Sequence, residues 1–163
     1  MSKESQGKFT AARIAKLAVV AAVYVVLTYA LGFMAYGSIQ FRVAEVLMLL
    51  CFYKKDYGIS LIVGCFVANL FSPMALDMLF GTGATVLAVL LIYISPNLYI
   101  ASLAPVLTNA VIVGVELTIS FNTPFWLNAV EVAAGEFVCV CIVGVILFKS
   151  LERNAAFMKL ITS

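Results

Sequence analysis

Residues 9–31 read FTAARIAKLAVVAAVYVVLTYAL, and their reading decides the fold. A helix needs roughly 20 predominantly apolar residues to cross the hydrocarbon core of a bilayer, and this run meets that length. Its two charges, Arg13 and Lys16, both lie near its start. The run extends well past the length of a signal-peptide apolar region and no small-x-small cleavage site follows it, so it is read as a permanent span. The rest of the chain repeats its character. Of the 163 residues, 64% are apolar and 11% charged, against about 45–50% and 25% in soluble domains. One small soluble core could not bury so much apolar surface. The expected class is an all-α integral membrane protein.

Outward from this run, the breaks in the apolar pattern divide the chain. The loop from Gly32 to Ser38 closes span one and is a candidate gate, because its glycines can hinge. Span two runs from about Phe41 to Tyr53 and ends at Lys54-Lys55-Asp56-Tyr57-Gly58; span three runs from about Ile59 to Phe71 and is broken by Ser72-Pro73. Residues Met74 to Gly81 read as a loop or re-entrant turn, and span four as about Thr82 to Ile94. Ser95-Pro96-Asn97 is a tight turn before span five, about Leu98 to Ser120. Pro124 suits the first turn of span six, about Phe125 to Phe148. Spans two, three and four are short for a bilayer, so their helices must reach into the loops or be shielded by neighbours. An alternative with fewer spans would make residues 54–58 an interfacial bend, but two lysines and an aspartate are costly in hydrocarbon.

Charge placement sets the orientation. With the N-terminus inside, the inner segments hold Lys3, Lys8, Arg13, Lys16, Lys54, Lys55, Lys149, Arg153 and Lys159, nine of the ten basic residues, and only Arg42 lies outside. This is the positive-inside pattern. The expectation is one membrane domain over residues 1–163 with six transmembrane helices. Residues 1–8 and 149–163 are then cytoplasmic tails, in the cell membrane.

Several chemistries are excluded. There is no histidine, which removes the usual zinc-protease and catalytic-triad arrangements. Cys51, Cys65, Cys139 and Cys141 lie in apolar runs and read as small buried residues. Cys139 and Cys141 point roughly 200° apart on a helix and cannot clamp one metal. No Gly-x-x-x-x-Gly-Lys-Ser/Thr phosphate loop occurs. The chain is expected to be neither an enzyme nor a holder of metal or cofactor.

The acidic residues are distributed differently from the basic ones. Glu45, Asp77, Glu116, Glu131 and Glu136 fall in the outer half or near mid-membrane, with Arg42 among them. Ionisable groups at this depth are a functional signal. Together they outline a polar pocket open to the outside, suited to a cation or to a ligand rich in N–H donors. Arg42 and Glu45 share a face, as do Asn109 and Glu116. Glu131 and Glu136 diverge by about 140°, and Glu136, after Gly135, is preferred for the pocket. Asn69 and Asp77 complete the set. Other roles stay open: Arg42 and Glu45 as a simple pair, and Asn69 and Asn109 as interhelical hydrogen-bond bridges. Phe41, Phe125 and Trp126 fit an interfacial aromatic belt; stacking of Phe41 or Trp126 on a planar ligand is the other reading. Ala11, Ala15, Ala18 and Ala22 form a small-residue stripe, for packing within the protein or for docking a partner.

The runs Ile39-Gln40-Phe41-Arg42-Val43-Ala44-Glu45, Gly64 to Leu70, Leu76-Asp77 with Phe80-Gly81, Asn109 to Leu117 and Gly135-Glu136-Phe137 resemble, in this order, the QueT family. These are substrate-binding S components of energy-coupling factor (ECF) transporters. The resemblance covers about Ala12 to Phe148. It implies a six-helix S-component bundle with both termini inside, a ligand site near the outer face, and assembly with a transmembrane T subunit and two cytoplasmic ATPases. It implies docking through Ala15, Ala18 and Ala22, and a queuosine precursor, a deazaguanine base, as ligand. Its donor-rich edge would suit Glu45, Asp77, Glu116 and Glu136. Rival readings are a self-sufficient or cation-coupled carrier, a membrane-embedded enzyme using the carboxylates, and the same fold with another vitamin-like ligand.

Overall fold

The computed structural model of the chain describes residues 10–32 and 41–162. Its helices are α1 (Ala11–Ala30), α2 (Val43–Tyr53), α3 (Tyr57–Asn69), α4 (Asp77–Ile94), α5 (Leu98–Phe121), α6 (Phe125–Leu151) and α7 (Ala155–Thr162). Among the described residues there is no strand. The chain is all-α, and α1, α4, α5 and α6 are long and apolar enough to cross a membrane. Apart from Gly32, the loop read as a gate lies outside the described residues.

Local chemistry sets the helix ends. Thr10 accepts the Arg13 amide at 3.3 Å and so caps α1, and Asn97 accepts the Ile100 amide at 2.9 Å and caps α5. The chain leaves α5 at Asn122, whose φ of 54° is left-handed, a conformation that asparagine tolerates better than most residues.

Two boundaries differ from the sequence reading. Helix α4 begins at Asp77, not near Thr82, so Asp77 to Gly81 form its opening turn and not a re-entrant loop. The Asn69 amide donates to the Asp77 carbonyl at 2.8 Å and anchors that turn to α3. Gly81 makes room for this anchor, because a Cβ there would lie 2.7 Å from the Asn69 Nδ2. The second concerns the end of span six, read at about Phe148. Helix α6 continues to Leu151, and α7 folds back against the bundle. Asn154 caps α7, accepting from the Ala156 and Phe157 amides at 3.1 Å. Lys16 donates to the Leu160 carbonyl at 2.8 Å, Tyr57 donates to the Ile161 carbonyl at 3.0 Å, and Ile161 is buried.

Helix α2 stays short, and its surroundings explain why that is tolerable. Val43–Leu49 is 3-10 helix and Leu50–Tyr53 is α-helix. At about 2.0 and 1.5 Å rise per residue, the element is roughly 20 Å long. Ala44, Glu45, Val46, Met48, Leu49, Leu50 and Cys51 are all buried, so protein and not lipid surrounds it. Small residues set the close crossings. A Cβ on Gly64 would meet the Ala21 carbonyl of α1 at 3.0 Å, one on Gly114 the Ala129 Cα of α6 at 3.2 Å, and one on Gly144 the Leu49 side chain of α2 at 3.1 Å. Within α6, residues Phe137–Gly144 are π-helical and pack on the 3-10 part of α2. Such departures from α geometry often accompany functional sites.

Burial is uneven. Only 6% of the apolar stretch of α1 is buried within the protein, against 61% in α5. The buried apolar residues form two clusters. The larger contains Tyr24, Met48, Leu61, Ala104 and Val140; the smaller contains Ala84, Val113, Leu117 and Val132. Along α5, Asn109 stands between Ala104 and Val113; along α6, Glu136 stands between Val132 and Cys139. Polar residues therefore fill the level at which the two apolar clusters part.

Candidate functional site

Glu45 of α2, Asn109 and Glu116 of α5, and Glu136 of α6 are all fully buried. Arg42, just before α2, reaches two of these acids. Its Nη2 lies 3.2 Å from Glu45 Oε1 and its Nε 3.5 Å from Glu136 Oε1. The bond to Glu45 is the i, i+3 pair that the sequence allowed. The approach to Glu136 joins α2 to α6 and is a tertiary contact. Asn109 donates to Glu136 Oε1 at 2.7 Å, so α5 enters the same network. Tyr24 of α1 donates its hydroxyl to Glu45 Oε1 at 2.7 Å. Sequence reasoning missed Tyr24. Its signal was a phenol in the middle of a valine-rich span, where a buried hydroxyl needs a partner.

Glu116 is two turns beyond Asn109 on α5, roughly 10 Å along the axis. Neither of its carboxylate oxygens has a hydrogen-bond partner among the described residues. The charged groups that act on it are Asp77 and, with opposite sign, Arg42. Asp77 opens α4 and accepts a hydrogen bond from the Ser72 hydroxyl. Ser72 was read only as part of a helix break, yet it orients this acid.

The unsatisfied atoms at the site are all of one kind. Glu45 Oε2, Asn109 Oδ1, both oxygens of Glu116 and Glu136 Oε2 are buried without a partner among the described residues. All five are acceptors. Leaving a buried polar atom unpaired costs about 1–3 kcal/mol, and more when it is charged. The one guanidinium, Arg42, is placed on Glu45 Oε1 and Glu136 Oε1 and satisfies none of these five atoms. The arrangement is thus an acceptor surface that a ligand bearing N–H groups or a cationic amine would satisfy. Among the described residues no group of three or more metal-type ligands could hold a metal ion.

Other expected residues are placed elsewhere. The Asn69 amide is engaged by Asp77 and Thr82, the geometry of an interhelical bridge. Phe41 is half-buried and packs on the larger apolar cluster. Trp126 is 76% exposed and meets Phe125 edge-on at 5.1 Å, so the structure does not bring it to the acids, because its helix face turns outward. Glu131 is half-buried, a turn or more from Glu136. Ala15, Ala18 and Ala22 are exposed, and it is Ala21 that packs on Gly64. The stripe is therefore not used for packing within the described protein.

A cavity of about 220 Å³ lies between α1 and α3 at the Pro73 end, lined by Val25, Thr28, Tyr29, Ala68, Phe71 and Pro73 among others. The opposite end carries the basic residues. There Arg13 meets Asp56 at 2.6 Å, and Lys149 meets Glu152 at 2.9 Å.

The queuosine precursor transporter QueT of Lactococcus lactis subsp. cremoris (strain MG1363) is 43% identical over 70 residues. That match spans 42% of this chain and 41% of the relative. No solved structure matches the chain. The family model of the QueT transporter matches residues 14–153, which takes in every buried acid described above. The chain belongs to the QueT transporter family.

Proposed function

We propose that this chain is the substrate-binding and translocating S component of an ECF-type, ATP-driven importer, and that it carries a queuosine precursor, a deazaguanine base. The observation that carries the reading is the set of five buried acceptor atoms without hydrogen-bond partners among the described residues. A deazaguanine presents several N–H donors along one edge, and an aminomethyl form adds a cation. Hydrogen bonds to charged groups contribute about 1.5–3 kcal/mol each, so two or three such bonds to Glu116, Glu136 and Glu45 would give a strong and orientation-specific hold. The name of the Lactococcus relative supports the same ligand class.

The binding set is Arg42, Glu45, Asp77, Asn109, Glu116 and Glu136, with Asn69 positioning the opening turn of α4. Six spans with both termini in the cytoplasm follow from the charge pattern: Arg13, Lys16, Lys54, Lys55, Lys149 and Arg153 would then face the cytoplasm. The chain itself has no phosphate-binding loop, so ATP hydrolysis belongs to partner ATPases held through a T subunit. The exposed Ala15, Ala18 and Ala22 face of α1 is the docking surface, where small side chains allow close backbone approach.

Ligand-induced stabilisation of the purified protein, screened over deazaguanines, guanine and B vitamins, tests the substrate. A ligand at 100 times its Kd stabilises by about 2.7 kcal/mol. A response only to a non-purine would overturn the ligand assignment. A second reading is favoured by the neighbouring carboxyls of Glu116 and Asp77: a self-sufficient carrier that binds a cation or proton there. Uptake into liposomes by this chain alone decides between the two. Transport without ATPase partners would end the S-component reading.

A further inference from the structure

At the basic end a groove of about 530 Å³ runs beside α6 and the start of α5. Its lining changes character along its length. Cys141, Ile142, Val145 and Ile146 form an apolar wall, and Tyr99, Lys149, Ser150 and Arg153 close the end nearest the chain's C-terminus. We propose that this groove holds one anionic phospholipid, with its phosphate at Arg153 and an acyl chain along Ile142 and Ile146. The proposal rests on the membrane reading and is independent of which substrate is carried.

Three observations argue for a lipid. The first is length. From Ile142 to the end of α6 at Leu151 the helical rise is roughly 14 Å, close to half of the roughly 30 Å hydrocarbon core, the depth of one leaflet, and Arg153 follows in the turn beyond it. The second is exposure. Ile142 is 44% and Ile146 66% exposed, so the apolar wall is open on its outer side, where lipid lies. The third is charge. Arg153 is exposed and pairs with no acid among the described residues. Lys149 adds a second cation, its Nζ 5.9 Å from the Tyr99 ring centre. The one nearby acid, Glu152, does not line the groove; it accepts from Tyr53 at 2.8 Å and from Lys149 at 2.9 Å. The hydroxyls of Ser150 and Tyr99 are further donors at the same end. Basic pockets between transmembrane helices at the inner leaflet are suited to anionic headgroups.

Native mass spectrometry of the full chain, released from nanodiscs of mixed phosphatidylglycerol and phosphatidylcholine, tests the proposal. The expected result is one phosphatidylglycerol retained in preference to phosphatidylcholine. Arg153→Ala should lower that retention on the order of fivefold, and Arg153→Glu further. Lys159→Ala removes a charge from α7, outside the groove, and should change nothing. Glycerol 3-phosphate, which carries the phosphate without the chains, should not displace the lipid. Equal retention of phosphatidylcholine, equal loss in Lys159→Ala, unchanged retention in Arg153→Ala or displacement by glycerol 3-phosphate would each overturn the assignment. A protein partner seated in the groove would appear as the first of these, with no lipid preference at all. Arg153 is exposed and engaged in no ion pair among the described residues, so its variants are expected to fold, and unchanged thermal unfolding checks this.

Discussion

At the basic end of the bundle Arg13 sits on Asp56 at 2.6 Å and Lys149 on Glu152 at 2.9 Å. Between the helices a single guanidinium, Arg42, serves both Glu45 and Glu136, and Glu116 has no hydrogen-bond partner among the described residues. The first region matches cation to anion where water can still reach. The second concentrates acceptors where water is excluded, and burial makes the mismatch costly. Pairing at the basic end serves folding and orientation. The buried mismatch is the expected condition of a site completed by its ligand.

The comparison breaks most readily at Arg42. Arg42→Met leaves two carboxylates buried without their cation and should cost about 3–5 kcal/mol of stability. Arg13→Ala at the basic end should cost about 1 kcal/mol or less, because the Arg13 and Asp56 side chains remain 27% and 22% exposed. Thermal unfolding of both variants in one detergent measures the contrast, and equal losses would erase the distinction between the regions. Glu116→Gln should move two readouts in opposite directions. Ligand affinity, by calorimetry, should fall by roughly 10- to 100-fold, the equivalent of one charge-assisted hydrogen bond. Stability without ligand should hold or rise, since the cost of burying two neighbouring acids, Glu116 and Asp77, is reduced. A fall in both would make Glu116 a structural residue.

Gly114→Val probes the scaffold beneath the site. The added Cβ meets Ala129 Cα at 3.2 Å, and backbone yields less than a side-chain tip. A loss of about 1–3 kcal/mol is expected, with weaker binding because Glu116 is two residues away. The smallest effect lies at the basic end. Hydrogen bonds from Lys149 and then Tyr53 hold the Glu152 carboxyl below its ordinary value. Its contribution is therefore complete above the usual carboxylate range and is lost as pH falls through the lowered native value. Glu152→Gln should flatten the acid limb of a stability-against-pH curve slightly. A steepened limb would contradict the pairing.

The helices were largely legible because their signal is local. A run such as residues 9–31 has nowhere to go but a bilayer or a very large core, and Ser95-Pro96-Asn97 breaks a helix in any context. The start of α4 was not legible. Asp77 to Gly81 lie between the Ser72-Pro73 break and the run Gly81-Thr82-Gly83 and so read as loop, and what anchors them as a helical turn is an amide from Asn69 on another helix. The helix within the tail from residue 149 was not legible for the same reason, since α7 is held by bonds from Lys16 and Tyr57.

The buried site divides along the same line. Sequence by itself determined the membrane class, the asymmetry of basic and acidic residues, and the membership of Arg42, Glu45, Asn109, Glu116 and Glu136 in a polar set. Those conclusions need only hydropathy, charge count and helical period, all of which are properties of short stretches. Tertiary structure alone decided that Arg42 bridges α2 to α6, that Tyr24 of α1 joins Glu45, that Trp126 stands outside, and that five acceptors have no hydrogen-bond partner among the described residues. The helical period states which way a side chain faces on its own helix. It carries no information about what another helix, a hundred residues away, brings to meet it.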